Sequence, residues 1–216
     1  METLSTLGLS SLVPYRLRQR LNVTRRASMW RAAGVVFIHI PKAAGTSISR
    51  ELYGRTLGHY SFQELERWAP ELLYDCIVFT VVRDPYDRAV SAYDFARRGG
   101  TESMGMQHAS RYSGQSFDSF EKFACDWLPS QDPNRLDNVF LPQSHFTDGG
   151  RFDHIGRLEH LHVTETFLEE ALGRKVRFDR INATRDRKEE GSANISLSAR
   201  NAIRAFYAAD FEAFSY

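Results

Sequence analysis

Residues 35–48 read VVFIHIPKAAGTSI, and this stretch decides the fold. Its first part is rich in β-branched and aromatic residues, which predicts a strand at about 35–40 that is buried on both faces. Pro41 ends the strand because proline has no N–H to give to a sheet. Small residues follow, and Thr46 or Ser47 begins a predicted helix that runs to about residue 54. The order is therefore strand, tight loop and helix.

The loop between this strand and this helix has the chemistry of an anion site. Small side chains at Ala43, Ala44 and Gly45 let the backbone approach a phosphate or a sulfate closely. The amides and the dipole of the helix N-terminus point at the ligand, and Lys42 adds a full positive charge. This is not a Walker A loop, in which the lysine follows the second glycine. The alternative is an ordinary strand–helix turn with a solvated lysine.

A second buried strand ends in an arginine further along the chain. Residues 76–82 read CIVFTVV, and Arg83 follows at the carboxyl end, where open α/β sheets bind ligands. Asp84 is a favoured N-cap for the next helix, and Ser91 lies two turns into that helix. A guanidinium and a hydroxyl suit a second phosphate. The alternative for Arg83 is a structural ion pair with Asp84 or Asp87.

Two buried strands separated by helical patterns predict an α/β fold, a single P-loop-like domain with a central parallel β-sheet flanked by helices. Ser61 and Glu64 have the spacing of a capping box, and Gly173 is a predicted C′ residue. The polar, glycine-rich residues 97–115 predict a loop or lid. The other predicted elements are helices at 61–68 (ended by Pro70), 116–127, 163–172 and 196–207, a short strand at 154–157 and a polar loop at 182–194.

Length and composition limit the number of domains and the kinds of partner that the protein can have. A chain of 216 residues is long enough for one sizeable domain, and 42% hydrophobic and 25% charged residues are ordinary for a globular protein. The formal net charge of +1 gives no bulk attraction to nucleic acid, so no nucleic-acid partner is predicted. Cys76 and Cys125 lie far apart without a metal-ligand cluster around them. Neither a metal site nor a disulfide framework is predicted.

Residues 1–33 are predicted to be a basic N-terminal extension ahead of a domain at 34–216. Residues 3–13 are mildly apolar but too short and too rich in Ser and Thr to span a membrane, and Glu2 stands where a signal peptide needs positive charge. Arginines cluster in the second half of the extension. We interpret it as a solvated, partly helical segment at the domain edge. Peripheral contact with a membrane or an acidic polymer is the alternative, and a cytoplasmic location is predicted.

The segment Ile40–Ser47 resembles the 5′-phosphosulfate loop of sulfotransferases that use 3′-phosphoadenosine 5′-phosphosulfate (PAPS). Its variant is similar to that of the carbohydrate sulfotransferases, the branch that includes the heparan-sulfate 2-O enzymes. Residues 82–93 resemble the 3′-phosphate site of the same family, and the resemblance extends through 140–144, 155–159 and 206–216. The implied cofactor contacts are Lys42, Ala43, Ala44, Gly45, Thr46 and Ser47 at the 5′ end and Arg83 and Ser91 at the 3′-phosphate.

The resemblance also implies a general base. In the carbohydrate branch the base lies between the two phosphate sites, and His59 occupies that interval. A histidine suits this role because its ordinary pKa lies near neutrality; the alternative is a loop histidine without a catalytic role. His39 is assigned to packing, because it lies in the predicted buried strand. Arg157 is an implied contact to the cofactor or the substrate, with a pair to Glu159 or a helix end as alternatives.

The implied reaction is in-line attack of a hydroxyl group on the sulfur of PAPS, without a metal. His59 removes the proton, and Lys42 stabilises charge on the leaving phosphate. The acceptor is a carbohydrate or a glycolipid that lies against residues 97–115 and 130–150, and residues 182–194 cover the adenine although they contain no aromatic ring. Two alternatives stay open, a P-loop kinase and a non-catalytic protein that binds a nucleotide or a glycan. The sequence predicts neither the acceptor's identity nor the oligomeric state.

Overall fold

The computed structural model describes residues 14–101, 104–105, 109–132, 135–179 and 194–216. Within these residues the central sheet has three parallel strands, in the order Val35–Ile38 (β1), Ile77–Val82 (β2) and His154–Arg157 (β5). The described residues also form the strands β3 Gly100–Thr101 and β4 Met104–Gly105. β3 and β4 form a separate antiparallel pair. The predicted α/β fold with a parallel sheet flanked by helices is confirmed.

Helices connect the strands and cover the sheet. They are α1 Tyr15–Ala33, α2 Gly45–Tyr53, α3 Phe62–Trp68, α4 Pro70–Asp75, α5 Pro85–Arg97, α6 Phe120–Lys122, α7 Gln143–Thr147, α8 Leu161–Leu172, α9 Leu197–Phe206 and α10 Ala208–Phe214. The carboxyl ends of parallel strands meet at one edge of a sheet. Because α2 follows β1 and α5 follows β2, the N-termini of these two helices lie at that same edge.

β1 and β2 are buried on both faces, which accounts for their continuous apolar runs. Thr80 is polar, and its hydroxyl donates to Ile38 O (2.8 Å). Tyr53 closes the outer edge of β1, because its hydroxyl accepts from Phe37 N (2.9 Å) and donates to Val35 O (3.1 Å). The sheet is thus fixed at the strand that leads into the Lys42 loop.

Local capping signals predict several helix ends correctly. Ser61 Oγ accepts from Glu64 N (3.2 Å), and Glu64 Oε2 accepts from Ser61 N (3.0 Å), which is the predicted capping box. Asp84 accepts from Asp87 N (3.0 Å) at the start of α5. Gly173 ends α8 in a left-handed conformation. Each of these signals acts over a few residues, so the sequence is sufficient to read it.

Other boundaries differ from the prediction. β1 ends at Ile38 rather than at residue 40. Pro70 does not simply end the helix before it, since α3 ends at Trp68 and Pro70 is the first residue of α4. A proline suits a first helical position because the N–H it lacks would have no intrahelical partner there.

The prediction of a loop or lid at 97–115 is only partly right, and the prediction of one helix at 116–127 is wrong. α5 runs on to Arg97, and β3 pairs with β4 inside the predicted loop. The helix is divided into a 3₁₀ turn, the single turn α6 and a π-helical turn at Phe123–Trp127. Aromatic packing explains the division, because Trp127 packs on the Phe140 ring with centroids 4.9 Å apart. Tertiary contacts here override the local helical preference.

α1 packs against the domain through one face. Val23, Ala27 and Trp30 are buried in the main hydrophobic core, whereas Leu17 and Leu21 are exposed. The apolar residues 3–13 lie outside the described residues. Among the described helices, none combines the length and the apolar character that crossing a bilayer requires. Because α1 buries Val23, Ala27 and Trp30, the second half of the predicted extension is packed against the domain.

The core lies on both sides of the sheet, because alternate residues of a strand point to opposite faces. Val36 and Ile38 of β1 join a cluster with α1 and α3, and Val35 and Phe37 join one with α2 and α8. A third cluster fills the space between α5 and the C-terminal helices α9 and α10. The strands that lead to the carboxyl edge of the sheet are therefore held by hydrophobic packing on both faces.

Candidate active site

The loop after β1 has a strained backbone. Lys42 and Ala44 both adopt left-handed conformations, with φ values of 69° and 61°. A non-glycine residue in this conformation costs about 1–3 kcal/mol, and such strain is concentrated at functional sites. Left-handed residues in a tight loop can turn successive amides toward a common point, which makes a concavity for an anion. The predicted anion loop therefore has a backbone suited to that role.

α2 begins directly at the end of this loop. Ala44 is its N-cap and offers no side-chain hydrogen bond, so the first amides of the helix have no capping side chain to satisfy them. The Ser47 amide differs, because it donates to Ala44 O (3.1 Å). Ser47 is buried and Thr46 is half-buried. Of the predicted loop contacts, Ser47 thus has its amide engaged within the first turn of the helix.

Gly45 has no room for a side chain. A Cβ at this position would lie 1.9 Å from Cδ2 and 2.0 Å from Nε2 of His39. The His39 ring is held on two sides, since it stacks on Phe37 with centroids 5.5 Å apart and packs against His59 at 4.1 Å. A glycine is therefore required for the loop to close over His39.

We expect Gly45→Ala to destabilise the protein by about 2 kcal/mol or more, because the added methyl group overlaps a ring that is held on two sides. Urea unfolding measures this change in the free energy of unfolding. Gly114→Ala is the matched control, since a Cβ there has no atom within 4 Å and the φ of −81° suits alanine. His39→Ala in the Gly45→Ala background should restore part of the loss. Wild-type stability of Gly45→Ala would contradict the close fit.

His59 lies beside the loop in a defined tautomer. Its Nδ1 is 2.9 Å from the carbonyl oxygen of His39. A carbonyl only accepts hydrogen bonds, so Nδ1 carries the proton and Nε2 keeps a lone pair. Burial lowers the pKa of His59 from 6.5; the bond to the His39 carbonyl opposes this, and the charge of Arg88 adds to it. At pH 7 His59 is therefore neutral and able to accept a proton.

His39 is packed, as its place in the sequence predicts. It is 5% exposed, and among the described residues its Nδ1 has no hydrogen-bond partner. Burial, and then the neighbouring His59, hold the pKa of His39 well below 6.5. Its carbonyl orients His59 and its ring fills the space beside Gly45. His39 thus connects the predicted base to the predicted anion loop.

The Lys42 amine lies in a cationic cluster. Its Nζ is 4.4 Å from the ring centre of Phe95 on α5. Burial is the largest cause that lowers the pKa of Lys42 from 10.5 to about 8. Three arginines contribute in the same direction and one carboxylate opposes them: Arg83, Arg98 and Arg88 against Asp94. Positive charge thus exceeds negative charge around this half-buried amine, which is the electrostatics of an anion site.

Arg83 reaches the Lys42 loop from the end of β2. Its Nη1 is 3.4 Å from Lys42 O, so the two predicted anion sites lie together. The Gln143 side chain fixes the Arg83 backbone, because Oε1 accepts from Arg83 N (2.9 Å) and Nε2 donates to Arg83 O (2.8 Å). Burial lowers the pKa of Arg83, and nearby carboxylates raise it: Asp87, Glu159 and Asp84. Asp84 and Asp87, the acids of the structural alternative, thus act on Arg83 through their charge, and an ion pair with either stays an alternative.

Ser91 lies on the side of α5 that faces Lys42. It is half-buried and precedes Phe95, which contacts the Lys42 amine, by one helical turn. Arg98 follows two turns after Ser91 on the same side. The grouping of Ser91 with Arg83 and Lys42 at a phosphate stays a prediction.

Arg157 lies at the chain's C-terminal helix. Its Nη2 donates to Phe214 O (2.6 Å) and Ser215 O (3.3 Å), and its guanidinium lies over the Tyr216 ring at 4.4 Å. This is the helix-end contact that the sequence offered as an alternative. A contact of Arg157 with a cofactor or a substrate stays a prediction.

Sequence patterns did not single out Arg88. It is 1% exposed and lies on one stripe with Ala92 and Ala96, at i+4 and i+8, which is the signal that predicts its burial. Arg88 donates to three backbone carbonyls. These are Pro41 O from Nε (3.0 Å) and Leu141 O (2.8 Å) and Val139 O (3.3 Å) from Nη2.

Two further predictions concern a metal and the adenine. Within the described parts of the chain, no group of three or more His, Cys, Asp and Glu side chains is placed to hold a metal ion. The predicted adenine cover spans residues 182–194, of which 182–193 lie outside the described residues.

Comparison with known proteins adds one finding. A family model described as a sulfotransferase family matches residues 26–216. The match begins within α1 and includes the Lys42 loop, His59, Arg83 and Ser91. No curated protein and no solved structure matches the chain.

Proposed function

The chain belongs to the sulfotransferase family, and on that basis we propose that it transfers a sulfuryl group from PAPS to a hydroxyl group of a carbohydrate or glycolipid. The observation that carries the proposal is the meeting of three elements at one edge of the sheet. These are the Lys42 loop, Arg83 and His59, joined by the contact of Arg83 with Lys42 O and by the contacts of His39 with His59 and Gly45.

The residues at this edge fit a nucleotide that carries phosphate groups at both ends. The left-handed residues Lys42 and Ala44 give the loop a backbone that can present amides to the 5′ end. Arg83 offers a charged fork and Ser91 a hydroxyl for the 3′-phosphate. PAPS supplies an activated sulfuryl group, whose bond to the 5′-phosphate oxygen breaks as the acceptor oxygen bonds to sulfur.

The chain's own residues then have distinct roles. His59 takes the proton of the acceptor hydroxyl at Nε2, while its Nδ1 stays bonded to the His39 carbonyl. Lys42 and the amides from Ala44 to Thr46 place positive charge where negative charge develops on the leaving phosphate. Burial makes this charge effective, because the interaction of charges is stronger where water is excluded.

A carbohydrate acceptor is proposed from sequence likeness. The loop Ile40–Ser47 is similar to that of carbohydrate sulfotransferases, and the interval that holds His59 also matches that branch. Transfer of labelled sulfate from PAPS to a panel of sugars, glycolipids and phenols tests this step. Labelling of phenols alone would overturn the acceptor class and leave the donor unaffected.

Titration calorimetry with 3′-phosphoadenosine 5′-phosphate (PAP) tests the donor. We expect binding without a metal, and ADP should bind about tenfold more weakly or worse because it lacks the 3′-phosphate that Arg83 would hold. Arg83→Ala should reduce the affinity for PAP to that for ADP and leave ADP binding unchanged. Preference for ATP with Mg²⁺ would instead support a kinase. PAP binding without transfer to any hydroxyl would support a non-catalytic protein.

The affinity for PAP should depend on pH through Lys42. The pKa of Lys42 in the free protein is about 8, and a bound phosphate raises it because opposite charges favour the protonated amine. Below pH 8 the amine is charged in both states, so it contributes no pH dependence. Above pH 8 binding must take up a proton, and the affinity should fall up to about tenfold per pH unit.

Calorimetry at pH 9 in two buffers of different ionisation enthalpy measures this uptake, which should approach one proton per nucleotide. The phosphate groups of PAP are fully ionised at that pH, since their second pKa is about 6. Lys42→Ala removes the titrating group and should abolish the uptake. Equal affinities at pH 7.5 and pH 9.5 would contradict the assignment of Lys42 to the phosphate.

A further inference from the structure

Arg88 connects the Lys42 loop to the segment 139–143, and both of these position residues of the candidate active site. Its Nε donates to the carbonyl of Pro41, the residue before Lys42. Its Nη2 donates to the carbonyls of Val139 and Leu141. Leu141 lies two residues before Gln143, whose side chain holds the Arg83 backbone. One buried guanidinium thus holds the strained loop against the segment that positions Arg83.

The charge of Arg88 has no direct counterion in the described part of the chain, where Arg88 takes part in no ion pair. The buried carboxylate of this region, Asp210, accepts from Gln143 N and Ser144 N (2.8 Å each) at the start of α7. Besides three carbonyls, the Arg88 guanidinium contacts the uncharged side chain of Tyr207, whose ring centre lies 5.9 Å from Cζ. None of these partners neutralises it, and in a buried site its charge acts over several ångströms.

We propose that Arg88 is a positioning residue that locks the Lys42 loop to the segment 139–143. The proposal deepens the proposed function and rests on it for its catalytic meaning. The hydrogen bonds and the charge are physical properties of the chain that can be measured without any reaction.

Several titratable and charged groups surround His59, and the effect of Arg88 on the pKa of His59 adds to theirs. His39 contacts His59 from the end of β1. Arg26 of α1 donates to Leu57 O (2.5 Å) and to the hydroxyl of Tyr60 (2.8 Å), on either side of His59. Arg88 acts from α5, and its charge lowers the pKa of His59 and of Lys42. Loss of this charge should therefore raise the pKa of His59.

Two variants separate the charge of Arg88 from its fork of donors. Arg88→Met removes both, whereas Arg88→Lys keeps the charge and cannot reach three carbonyls. Tyr207→Phe is a control for the segment 139–143, because it removes the donor to Phe140 O (2.9 Å) without changing charge and keeps the ring that lies 5.9 Å from the Arg88 guanidinium. Arg97→Met is the control for α5, since it makes the same substitution at an exposed position of that helix.

The first readout is the pKa of His59 in the free protein, from an NMR titration of histidine Cε1–H signals with His59→Gln as the assignment reference. The second is the dissociation constant for PAP. We expect Arg88→Met to raise the pKa of His59 and to weaken PAP binding about tenfold or more. Arg88→Lys should weaken PAP binding similarly and leave the pKa of His59 near the wild-type value. Both controls should keep that pKa, although Tyr207→Phe lowers Tm.

These outcomes distinguish the inference from the proposed function. If Arg88→Met leaves both readouts at wild-type values while the wild type binds PAP, the role of Arg88 is overturned and the function stands. If the wild type does not bind PAP, the function fails, and the histidine titration still decides whether the charge of Arg88 acts on His59. Should Arg88→Met not fold, Arg88→Lys carries the test, and wild-type PAP binding by that variant overturns the locking role.

Discussion

Lys42→Ala is expected to lower kcat about 10²- to 10³-fold or more at pH 7, because it removes the charge that stabilises the leaving phosphate in a partly buried site. The amine is charged at this pH, since its pKa is about 8. Lys42 also contributes to binding of the 5′ end, so the affinity for PAP should fall as well. Initial rates at saturating PAPS and calorimetric titration with PAP measure the two effects separately.

The same substitution should not lower stability. The folded protein holds the pKa of Lys42 below its ordinary value of 10.5, so the charged amine is less favourable in the folded state than in the unfolded state. This group therefore costs stability at pH 7, and the cost diminishes as the pH rises from 8 toward 10.5. Lys42→Ala removes the cost, and its Tm at pH 7 should equal or exceed that of the wild type.

Lys175→Ala is the matched control for Lys42→Ala, because Lys175 is exposed and lies after α8. It should leave kcat, PAP affinity and Tm unchanged. A Lys42→Ala protein that loses activity together with stability would indicate a structural role for the amine. A variant with full activity would remove Lys42 from the reaction altogether.

The parts of the fold that the sequence predicts are those that local chemistry dictates. The strand–loop–helix unit around Lys42 follows from a run of β-branched residues, one proline and a group of small residues. The helix starts at Ser61 and Asp84 follow from side chains that bond to amides three residues away. Such signals need no knowledge of the rest of the chain.

The parts that the sequence does not predict depend on distant partners. Gln143 pairs with the Arg83 backbone across 60 positions, and no local pattern marks it as part of the site. The stripe with Ala92 and Ala96 could have indicated that Arg88 is buried, but no local pattern identifies its acceptors, which the distant segment around Leu141 supplies. The helix predicted at 116–127 breaks because aromatic rings from separate segments pack around Trp127.

The candidate site shows the same division between local and distant causes. The anion loop could be recognised from residues 40–47, but the need for glycine at position 45 became visible only with the His39 ring beside it. The proximity of Lys42 and Arg83 follows from the parallel pairing of β1 with β2. The lowered pKa of Lys42 follows first from burial and then from the charges of Arg83, Arg98 and Arg88, which the segment from the end of β2 to the end of α5 brings to the loop. Holding a charged Lys42 among other positive charges is unfavourable for the folded state, and a bound anion would offset this cost.

His59→Gln is expected to lower kcat about 10²- to 10⁴-fold, the range that a positioned general base contributes. Glutamine can still donate a hydrogen bond to the His39 carbonyl, which His59 Nδ1 contacts at 2.9 Å, but it cannot accept a proton. The affinity for PAP should be unchanged, because His59 acts on the acceptor. This combination separates a base from a residue that holds the nucleotide.

The pH profile of kcat/KM gives His59→Gln a second readout. Because burial holds the pKa of His59 below 6.5, the wild type should keep its activity down to pH 6.5 and lose it below that value as His59 gains a proton. The residual activity of the variant should lack this acid limb. His162→Gln is the matched control, since His162 is exposed on α8, and it should keep both the rate and the limb. An acid limb that persists in His59→Gln would assign the base to another group and leave only the nucleotide site on this edge of the sheet.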